Sequence, residues 1–440
     1  MLVAFVVLGG APMILALLRM MIFAGILACV SPVAAQVSDA GLRGHGGPIR
    51  AIAVLGGGRV VTAGFDGAII IWDVNAGRAE RVLRFHDSAV NALVVRADGC
   101  LVSAGDDAKI AVWCEGENTP REILTGHSGP VSALAAASGK LFGGGFDGSI
   151  RLWTTGGKSS TRYSHQAPVT SIFAGSSGAL LSASQDGSVV MNSVGETGRT
   201  HTLKLPTSVN SIAALPGNHF LLACADGRLR EVDDQLKVVR EIELPDGPLT
   251  TVVISPDGKS IAAAGMRTPV TLIDVASREV KSRILGPGLP IWALAFSQDS
   301  RELYTGGADR ALRSFDVATG NANGNSIAPA SRTELPEPKD RGAQVFRACL
   351  ACHGLTAADT NLAGPTLYGI MGRRIASMPG YTFSELLKKL DIVWTPETIA
   401  KLFEVGPTVY TPGTKMPEQR LTDPEDRQAL VEWLSRVTKP

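Results

Sequence analysis

Alternating apolar and polar residues recur after a series of tight turns from about residue 44 to residue 317. Most of these turns carry an aspartate, at Asp66, Asp107, Asp147, Asp186, Asp226 and Asp309. Successive turn positions, including one at Arg267, lie 39 to 42 residues apart. A period of this length, with an alternating strand after each turn, predicts one four-stranded blade per repeat and seven repeats in all.

The first three repeats also share residues on either side of the turn. Gly44-His45 precedes the first turn, and Trp72-Asp73 ends the strand that follows it. These features resemble the WD-repeat β-propellers, which carry a Gly-His near the start of a blade and a Trp-Asp at its third strand. The resemblance implies an all-β, seven-bladed propeller over residues 37–317. We expect residues 37–43 to supply the outermost strand of the last blade and so close the ring.

The resemblance further implies a buried hydrogen-bonded set of side chains in each of the first four blades. The sets are His45, Thr62, Asp66 and Trp72; His86, Ser103, Asp107 and Trp113; His127, Asp147 and Trp153, with Gly143 at the hydroxyl position; and His165, Ser182 and Asp186, with Asn192 replacing the tryptophan. Because each histidine has its own aspartate, we interpret these histidines as structural rather than metal-binding. The last three blades lack the histidine and should depend more on apolar packing.

A different pattern appears near the C-terminus. The motif Cys349-Leu350-Ala351-Cys352-His353 places two thiols three residues apart with a histidine directly after them. Such thiols can form thioethers with the two haem vinyl groups while the adjacent imidazole binds the iron. A redox dithiol or half of a zinc site would not need the histidine, and the chain has no second cysteine pair to complete a zinc tetrahedron. The motif therefore predicts one covalent haem c.

Residues 339–440 resemble the single-haem, mitochondrial-like cytochromes c, which implies a small all-α domain. By this resemblance, His353 and Met416 bind the iron from opposite sides. Met416 follows Pro412-Gly413-Thr414-Lys415, which matches the loop that carries the sixth ligand in the family. Met371 and Met378 compete for the same role.

The same resemblance implies four further contacts with the cofactor. The Pro365 carbonyl should accept a hydrogen bond from His353 Nδ1, which would fix the orientation of the ring. Three side chains match positions that contact the haem propionates in the family, namely Arg373, Tyr381 and Trp394.

The first 35 residues are apolar or small and carry a single charge, at Arg19. They predict a signal peptide over residues 1–35, with cleavage after Ala35 and export to the periplasm. A retained membrane anchor and a lipoprotein cut before Cys29 are the alternatives. Residues 318–338, rich in Asn, Gly, Ser, Ala and Pro, predict a linker between the two domains.

The formal net charge of +1 gives no reason to expect nucleic-acid binding. Ligation by His353 and Met416 would fill both axial positions, so we predict an exported electron carrier without catalytic residues. The propeller would serve as a docking platform. The partners would be a redox donor and a redox acceptor, with a protein partner on the propeller. The alternatives are a propeller-based periplasmic oxidoreductase whose cytochrome domain accepts electrons, and a haem redox sensor or assembly factor.

Cys100 and Cys114 lie at equal distances from the turn at Asp106–Ala108. This register predicts that they are neighbours across two paired strands. We favour two buried free thiols over a disulfide, because the register would strain the bond.

Lysines lie in several segments that border the exposed haem edge in the cytochrome family, at Lys388, Lys389, Lys401 and Lys415. The resemblance implies that they steer acidic redox partners towards the haem. We expect the propeller to leave this edge uncovered, or to cover it only through a mobile linker.

Overall fold

Seven antiparallel sheets of four strands each form the described part of the repeat region. The structure is a computed structural model, and it describes residues 41–154, 157–176, 178–193, 200–244, 247–267, 269–284, 289–323, 335–347, 349–357, 364–379, 381, 383–414, 416 and 420–439. Within each sheet, strands that follow one another in the chain pair by hydrogen bonds. The first strands of neighbouring sheets contact one another, which arranges the sheets as the blades of a propeller.

The strands are short, with bounds that repeat from blade to blade. They are β1 (Leu42–Arg43), β2 (Ile49–Gly56), β3 (Arg59–Gly64), β4 (Ala68–Asp73), β5 (Arg78–Arg84), β6 (Val90–Val95), β7 (Leu101–Gly105), β8 (Ile110–Trp113), β9 (Glu122–Leu124), β10 (Val131–Ala137), β11 (Lys140–Gly145), β12 (Ser149–Trp153), β13 (Ser159–Ser164), β14 (Val169–Ala174), β15 (Ala179–Ser184), β16 (Ser188–Ser193), β17 (Thr200–Lys204), β18 (Val209–Leu215), β19 (His219–Cys224), β20 (Arg228–Val232), β21 (Val238–Glu243), β22 (Leu249–Ile254), β23 (Ser260–Gly265), β24 (Val270–Asp274), β25 (Val280–Ile284), β26 (Ile291–Phe296), β27 (Glu302–Gly307) and β28 (Ala311–Asp316). Blade one is β2–β5, the next five groups of four strands form blades two to six, and β26–β28 belong to blade seven.

The last blade is completed by the strand that precedes the first blade. Leu42 pairs with Leu312 and Arg43 pairs with Ala311, so β1 joins β28 as the outermost strand of blade seven. This pairing joins the two ends of the repeat region within one sheet, which removes an open strand edge. The rest of the predicted closing segment, residues 37–40, lies outside the described residues.

The predicted hydrogen-bonded sets are present in blades one and two. His45 Nδ1 lies 3.0 Å from Asp66 Oδ2 and its Nε2 lies 2.7 Å from Thr62 Oγ1, which also accepts a hydrogen bond from Trp72 Nε1 at 2.7 Å. Blade two repeats this arrangement with its own four residues. Each of these histidines is therefore bonded within its own blade.

Blades three and four depart from this arrangement. In blade three, His127 Nδ1 lies 3.1 Å from Asp147, but Trp153 Nε1 donates to the Thr125 carbonyl because Gly143 supplies no hydroxyl. In blade four, the predicted partnership of His165 with Asp186 is wrong. His165 Nδ1 lies 2.7 Å from Ser188 Oγ, since the serine hydroxyl occupies the position between the ring and the aspartate.

Blades five and seven replace the missing histidine with a buried ion pair. Arg230, 3% exposed, contacts Asp226 at 2.6 Å. Arg313, 6% exposed, contacts Asp309 at 2.7 Å. The expectation that these blades depend on apolar packing was therefore incomplete, because the turn aspartate keeps a buried cationic partner four residues along the chain.

A second set of hydrogen bonds joins each of five blades to the next. The donor is the second residue of the innermost strand, and the acceptor is the carbonyl of the first residue of the next innermost strand. The pairs are Asn91 with Val131, Ser132 with Val169, Thr170 with Val209, Asn210 with Leu249, and Thr250 with Ile291. These bonds fix neighbouring blades to one another around the axis.

Cys100 and Cys114 form a disulfide, with their Cα atoms 4.4 Å apart. The neighbouring pairs Leu101–Trp113 and Val102–Val112 confirm the predicted register of the strands. The preference for free thiols was wrong, because this pair occupies a cross-strand position at which the two Cα atoms come close enough for the bond.

The described residues of the C-terminal domain contain five helices and one 3₁₀ turn. They are α1 (Arg341–Phe346), the turn Cys349–Ala351, α2 (Glu385–Lys388), α3 (Pro396–Val405), α4 (Pro407–Tyr410) and α5 (Pro424–Val437). Asp340 caps α1 by accepting hydrogen bonds from Gly342 N and Ala343 N, and Thr395 caps α3 before Pro396.

The first and last helices of this domain pack closely. The rings of Phe346 and Trp433 have centroids 5.0 Å apart, and both side chains are almost fully buried. Gly342 allows this approach, since a Cβ atom there would lie 2.2 Å from the carbonyl oxygen of Ala429.

Both ends of the predicted linker, residues 318–338, contact the neighbouring domains. Asn323 Nδ2 donates to Ser314 Oγ in blade seven at 2.8 Å. The Pro336 carbonyl accepts a hydrogen bond from Trp433 Nε1 at 3.0 Å, and Leu335 is buried. Residues 324–334 lie outside the described residues, as does the whole of the predicted signal peptide. Within the part of the chain that the structure describes, no helix is long and apolar enough to cross a membrane.

Candidate cofactor site

The two thiols of the Cys-x-x-Cys-His motif lie on a tight turn at one wall of a cavity in the C-terminal domain. The carbonyl of Cys349 accepts hydrogen bonds from the backbone N–H groups of Cys352 and His353, both at 3.0 Å. This turn places both cysteines and the histidine along the cavity. Burial raises the pKa of each thiol to about 12. This shift is opposite in direction to the lowered thiol pKa on which redox dithiols depend.

The imidazole of His353 is oriented by the chain that follows it. Its Nδ1 lies 2.8 Å from the Pro365 carbonyl oxygen. Because a carbonyl can only accept, Nδ1 carries the proton and Nε2 keeps its lone pair. Burial lowers the pKa of His353, which favours the neutral ring that a metal ligand requires.

Met416 lines the same cavity and is half-buried. Its loop is fixed by two hydrogen bonds, one from Met416 N to Thr414 Oγ1 at 3.1 Å and one from Ser384 Oγ to the Gly413 carbonyl at 2.8 Å. Met378 also lines the cavity, but its sulfur lies 3.0 Å from Arg373 Nη1. Met371 packs against the helical core and is not among the described residues that line the cavity.

Three polar side chains that the sequence predicted as propionate contacts line this cavity together, namely Arg373, Tyr381 and Trp394. The Arg373 guanidinium donates to the carbonyls of Thr366 at 2.9 Å and Tyr368 at 3.0 Å. Burial raises the pKa of the Tyr381 hydroxyl and keeps it protonated as a donor. These three residues thus add N–H and O–H donors to a largely apolar cavity wall.

Blade one of the propeller also reaches this cavity, through Gly46 and Asp66. Asp66 belongs to the hydrogen-bonded set of that blade and accepts from the backbone N–H groups of Gly46 and Ala68. No local sequence signal predicted this contact, since both residues are explained by the propeller alone. The propeller thus forms part of the cavity wall. That it leaves the exposed haem edge uncovered, or covers it only through a mobile linker, stays a prediction.

Two of the lysines that were expected to border the haem edge are paired with carboxylates. Lys388 Nζ lies 2.7 Å from Glu385 and Lys401 Nζ lies 2.7 Å from Glu404. Lys415 lies outside the described residues. The local positive charge of these segments is therefore smaller than a count of lysines suggests.

The residues of the cavity fit haem c. Two buried thiols, a neutral imidazole and a thioether are the groups that this cofactor uses for attachment and axial ligation. The remaining wall is mostly apolar and accommodates a flat hydrophobic ring, with Leu367, Ile370, Leu387, Ile399, Leu402, Phe403, Leu430 and Leu434. Among the described residues, no cluster of three or more His, Cys, Asp or Glu side chains could hold a metal ion by itself.

The fold and the site together define a β-propeller joined to a covalent haem domain. A family model for cytochrome c matches residues 340–438, and a model for the WD domain, G-beta repeat, matches residues 37–73, 77–114, 118–154 and 279–316. Through its C-terminal domain, the chain belongs to the cytochrome c family, and it carries covalent haem c there.

Known cytochromes c match this domain over most of their own length. Cytochrome c from Cochliobolus lunatus is 38% identical over 100 residues, which cover 22% of this chain and 92% of the relative. Cytochrome c from Arabidopsis thaliana is also 38% identical over 100 residues, with 22% and 88% covered. Cytochrome c2 from Rhodopila globiformis is 40% identical over 89 residues, with 20% and 82% covered. These relatives correspond to the haem domain and say nothing about the propeller.

The propeller resembles a solved structure, the crystal structure of the WD40 beta propeller domain of Doa1. The TM-score is 0.56 and the sequence identity is 21%, and the match covers 62% of this chain and 95% of that chain. A likeness at this identity supports the seven-bladed fold alone.

Proposed function

We propose that this protein is an exported one-electron carrier in which His353 and Met416 bind the iron of the covalent haem and the propeller is the docking platform. The observation that carries this proposal is that one cavity is lined by both buried cysteines, by His353, whose ring is held by the Pro365 carbonyl, and by Met416. The haem, when bound, supplies a one-electron ferric/ferrous couple.

The residues of the chain favour transfer of electrons over reaction with a substrate. His353 and Met416 would both hold the iron of the haem, so a substrate would have to displace one of these residues to reach it. A thioether ligand stabilises the ferrous state and raises the reduction potential. The hydrogen bond to Pro365 keeps the imidazole in one orientation, which limits the reorganisation that accompanies each electron transfer.

Two features support export. The Cys100–Cys114 disulfide is of a kind that persists in oxidising compartments, such as the bacterial periplasm. The apolar segment before Ala35 has the composition of a signal peptide. A periplasmic location would give the haem domain access to exported and membrane-bound redox proteins, which are the donors and acceptors that we propose.

Replacing Met416 with alanine tests the ligand assignment. We expect Met416→Ala to lose the sulfur-to-iron charge-transfer band of the ferric protein, because the thioether is removed. The reduction potential should fall by on the order of 0.1–0.3 V, within the range that axial ligands span. The measurements are the absorption spectrum and a spectroelectrochemical titration of the full-length protein with its haem attached.

Met371→Ala and Met378→Ala are the matched controls, and both should keep the band. Retention of the band in Met416→Ala, or its loss in either control, would assign the sixth ligand elsewhere.

A further inference from the structure

An arginine of the propeller contacts Tyr381, one of the residues that line the haem cavity. Arg84 is the last residue of β5, in the same blade as Gly46 and Asp66. Its guanidinium carbon lies 4.3 Å from the centroid of the Tyr381 ring. The two side chains also share a hydrogen bond. Blade one thus contributes a cationic group next to a residue of the cavity wall.

The surroundings of Arg84 are costly for a positive charge. Burial lowers the pKa of its guanidinium, and the interactions with Tyr381 and Asp66 oppose this effect only in part. The Asp66 carboxylate already accepts hydrogen bonds from the His45 ring and from two backbone N–H groups. A buried guanidinium in such a position is stabilised best by a carboxylate with which it can form a charge-assisted hydrogen bond.

The cofactor brings two carboxylates into this domain. Attachment to Cys349 and Cys352 would fix its vinyl side, and its propionates would then lie elsewhere in the cavity, beside hydrogen-bond donors. The donors lie around Arg373, Tyr381 and Trp394. The Arg373 guanidinium is already bonded to two backbone carbonyls, so its hydrogen-bonding capacity for two incoming carboxylates is limited. Arg374 also lines the cavity, but its guanidinium lies 3.4 Å from the Asp391 carboxylate. Arg84 is not among the described residues that line the cavity, and it is adjacent to the cavity through its contact with Tyr381.

We propose that Arg84 is a haem-binding residue supplied by the propeller, which pairs with a propionate carboxylate beside Tyr381. This inference rests on the proposed function of the cavity as a haem site. A positive charge near the iron disfavours the ferric state, which carries one more positive charge than the ferrous state. Arg84 therefore raises the reduction potential and links the position of the propeller to the redox properties of the haem.

The test compares the full-length holoprotein with three variants: Arg84→Gln, Arg84→Lys and Arg81→Gln. Arg81 is the matched control, because it lies on the same strand but contacts the Glu117 carbonyl instead of the cytochrome domain. At a fixed applied potential, we expect Arg84→Gln to lower the ferrous-to-ferric ratio about tenfold, equivalent to about 59 mV for a one-electron couple. Arg84→Lys and Arg81→Gln should stay close to wild type.

The pH dependence of the potential provides a second readout, which loss of packing alone would not move. Without Arg84 the propionate loses its cationic partner, so the pKa of the propionate rises. Because the reduction potential changes when the propionate is protonated, the pH at which the potential changes should move to a higher value in Arg84→Gln. It should stay in place in Arg84→Lys and Arg81→Gln. An unchanged potential in Arg84→Gln would overturn the proposal. So would a change of equal size in Arg84→Lys, since that variant keeps the charge. A wild-type protein without a c-type haem spectrum would instead refute the proposed function.

Discussion

At the scale of single residues, the orientation of His353 depends on a close approach by the chain that follows it. Gly364 N donates to the Cys352 carbonyl at 2.8 Å, which brings the backbone of residue 364 against the imidazole and places the Pro365 carbonyl at Nδ1. A Cβ atom at position 364 would lie 2.5 Å from His353 Cε1. Only glycine fits there without moving the ring or the backbone.

Gly364→Ala should therefore displace the His353 ring while all of the proposed iron ligands remain in the chain. We expect a loss of about 1–3 kcal/mol in the stability of the haem domain, which is the usual cost of overpacking. A weakened sulfur-to-iron band should accompany it, because the displaced ring no longer holds the iron in place. Thermal unfolding followed by haem absorbance measures the first effect, and the ferric spectrum measures the second.

Gly129→Ala is the control for adding a methyl group in this chain, since the nearest atom would lie 3.9 Å from the new Cβ atom. It should change stability by no more than about 0.5 kcal/mol. If Gly364→Ala behaved like this control, the close approach would have no role in positioning His353.

At the scale of elements, the blades share one architecture but are held by different interactions. Blades one and two use the complete set of histidine, hydroxyl, aspartate and tryptophan. Blades five and seven use a buried arginine with the turn aspartate, and blade two adds a disulfide across β7 and β8. Six of the seven blades carry an aspartate at the turn, and the sixth has Arg267 there. The carboxylate of Asp66, Asp226 or Asp309 accepts a backbone N–H whatever its side-chain partner is.

The disulfide of blade two should contribute measurably to the stability of the propeller. A bond that closes 14 residues restricts the unfolded chain, so we expect the Cys100→Ser/Cys114→Ser double variant to lose about 2–3 kcal/mol. Thermal unfolding of the propeller, followed by circular dichroism with and without reductant, measures this loss. Peptide mapping without reduction checks the bond directly.

Cys224→Ala is the control here, because Cys224 is a buried free thiol. Reductant should lower the unfolding temperature of Cys224→Ala as much as that of the wild-type protein. It should leave the unfolding temperature of the Cys100→Ser/Cys114→Ser double variant unchanged. A wild-type propeller that is indifferent to reductant would show that the bond does not form or does not stabilise this blade.

At the scale of the whole molecule, local signals were enough to predict the two domains but not their contact. The spacing of Asp66, Asp107 and Asp147 and the motif around Cys349 each report on one element and its neighbours. The Arg84–Tyr381 contact joins residues 297 positions apart in two domains, and no sequence periodicity relates them. The buried arginines of blades five and seven were missed for a related reason, since an arginine in an alternating strand is usually solvent-exposed.

The whole molecule also determines how a redox partner approaches the haem. Both α2 and α3 line the haem cavity, through Leu387 and Leu402, and the lysines expected to attract a partner lie in or next to these helices. Glutamates pair with Lys388 and Lys401, while the described residues show no ion pair for Lys389. A lysine paired with a glutamate presents a dipole, and the field of a dipole decays faster with distance than the field of a single charge. Within a Debye length, which is about 10 Å at 0.1 M salt, the unpaired lysine therefore attracts an acidic partner more strongly than the paired lysine does.

We therefore expect Lys389 to contribute more than Lys401 to the attraction of an acidic redox protein. Lys389→Gln should slow the bimolecular reduction of the haem about two- to threefold at low ionic strength, and Lys401→Gln should slow it less. The difference should vanish at high salt, since screening removes the long-range attraction of both charges. Stopped-flow measurement of the reduction rate against salt concentration, with the full-length holoprotein and both variants, distinguishes these outcomes.

Equal rates for Lys389→Gln and wild type at low salt would place the docking site away from α2. A larger effect of Lys401→Gln would show that its ion pair with Glu404 opens when the partner binds.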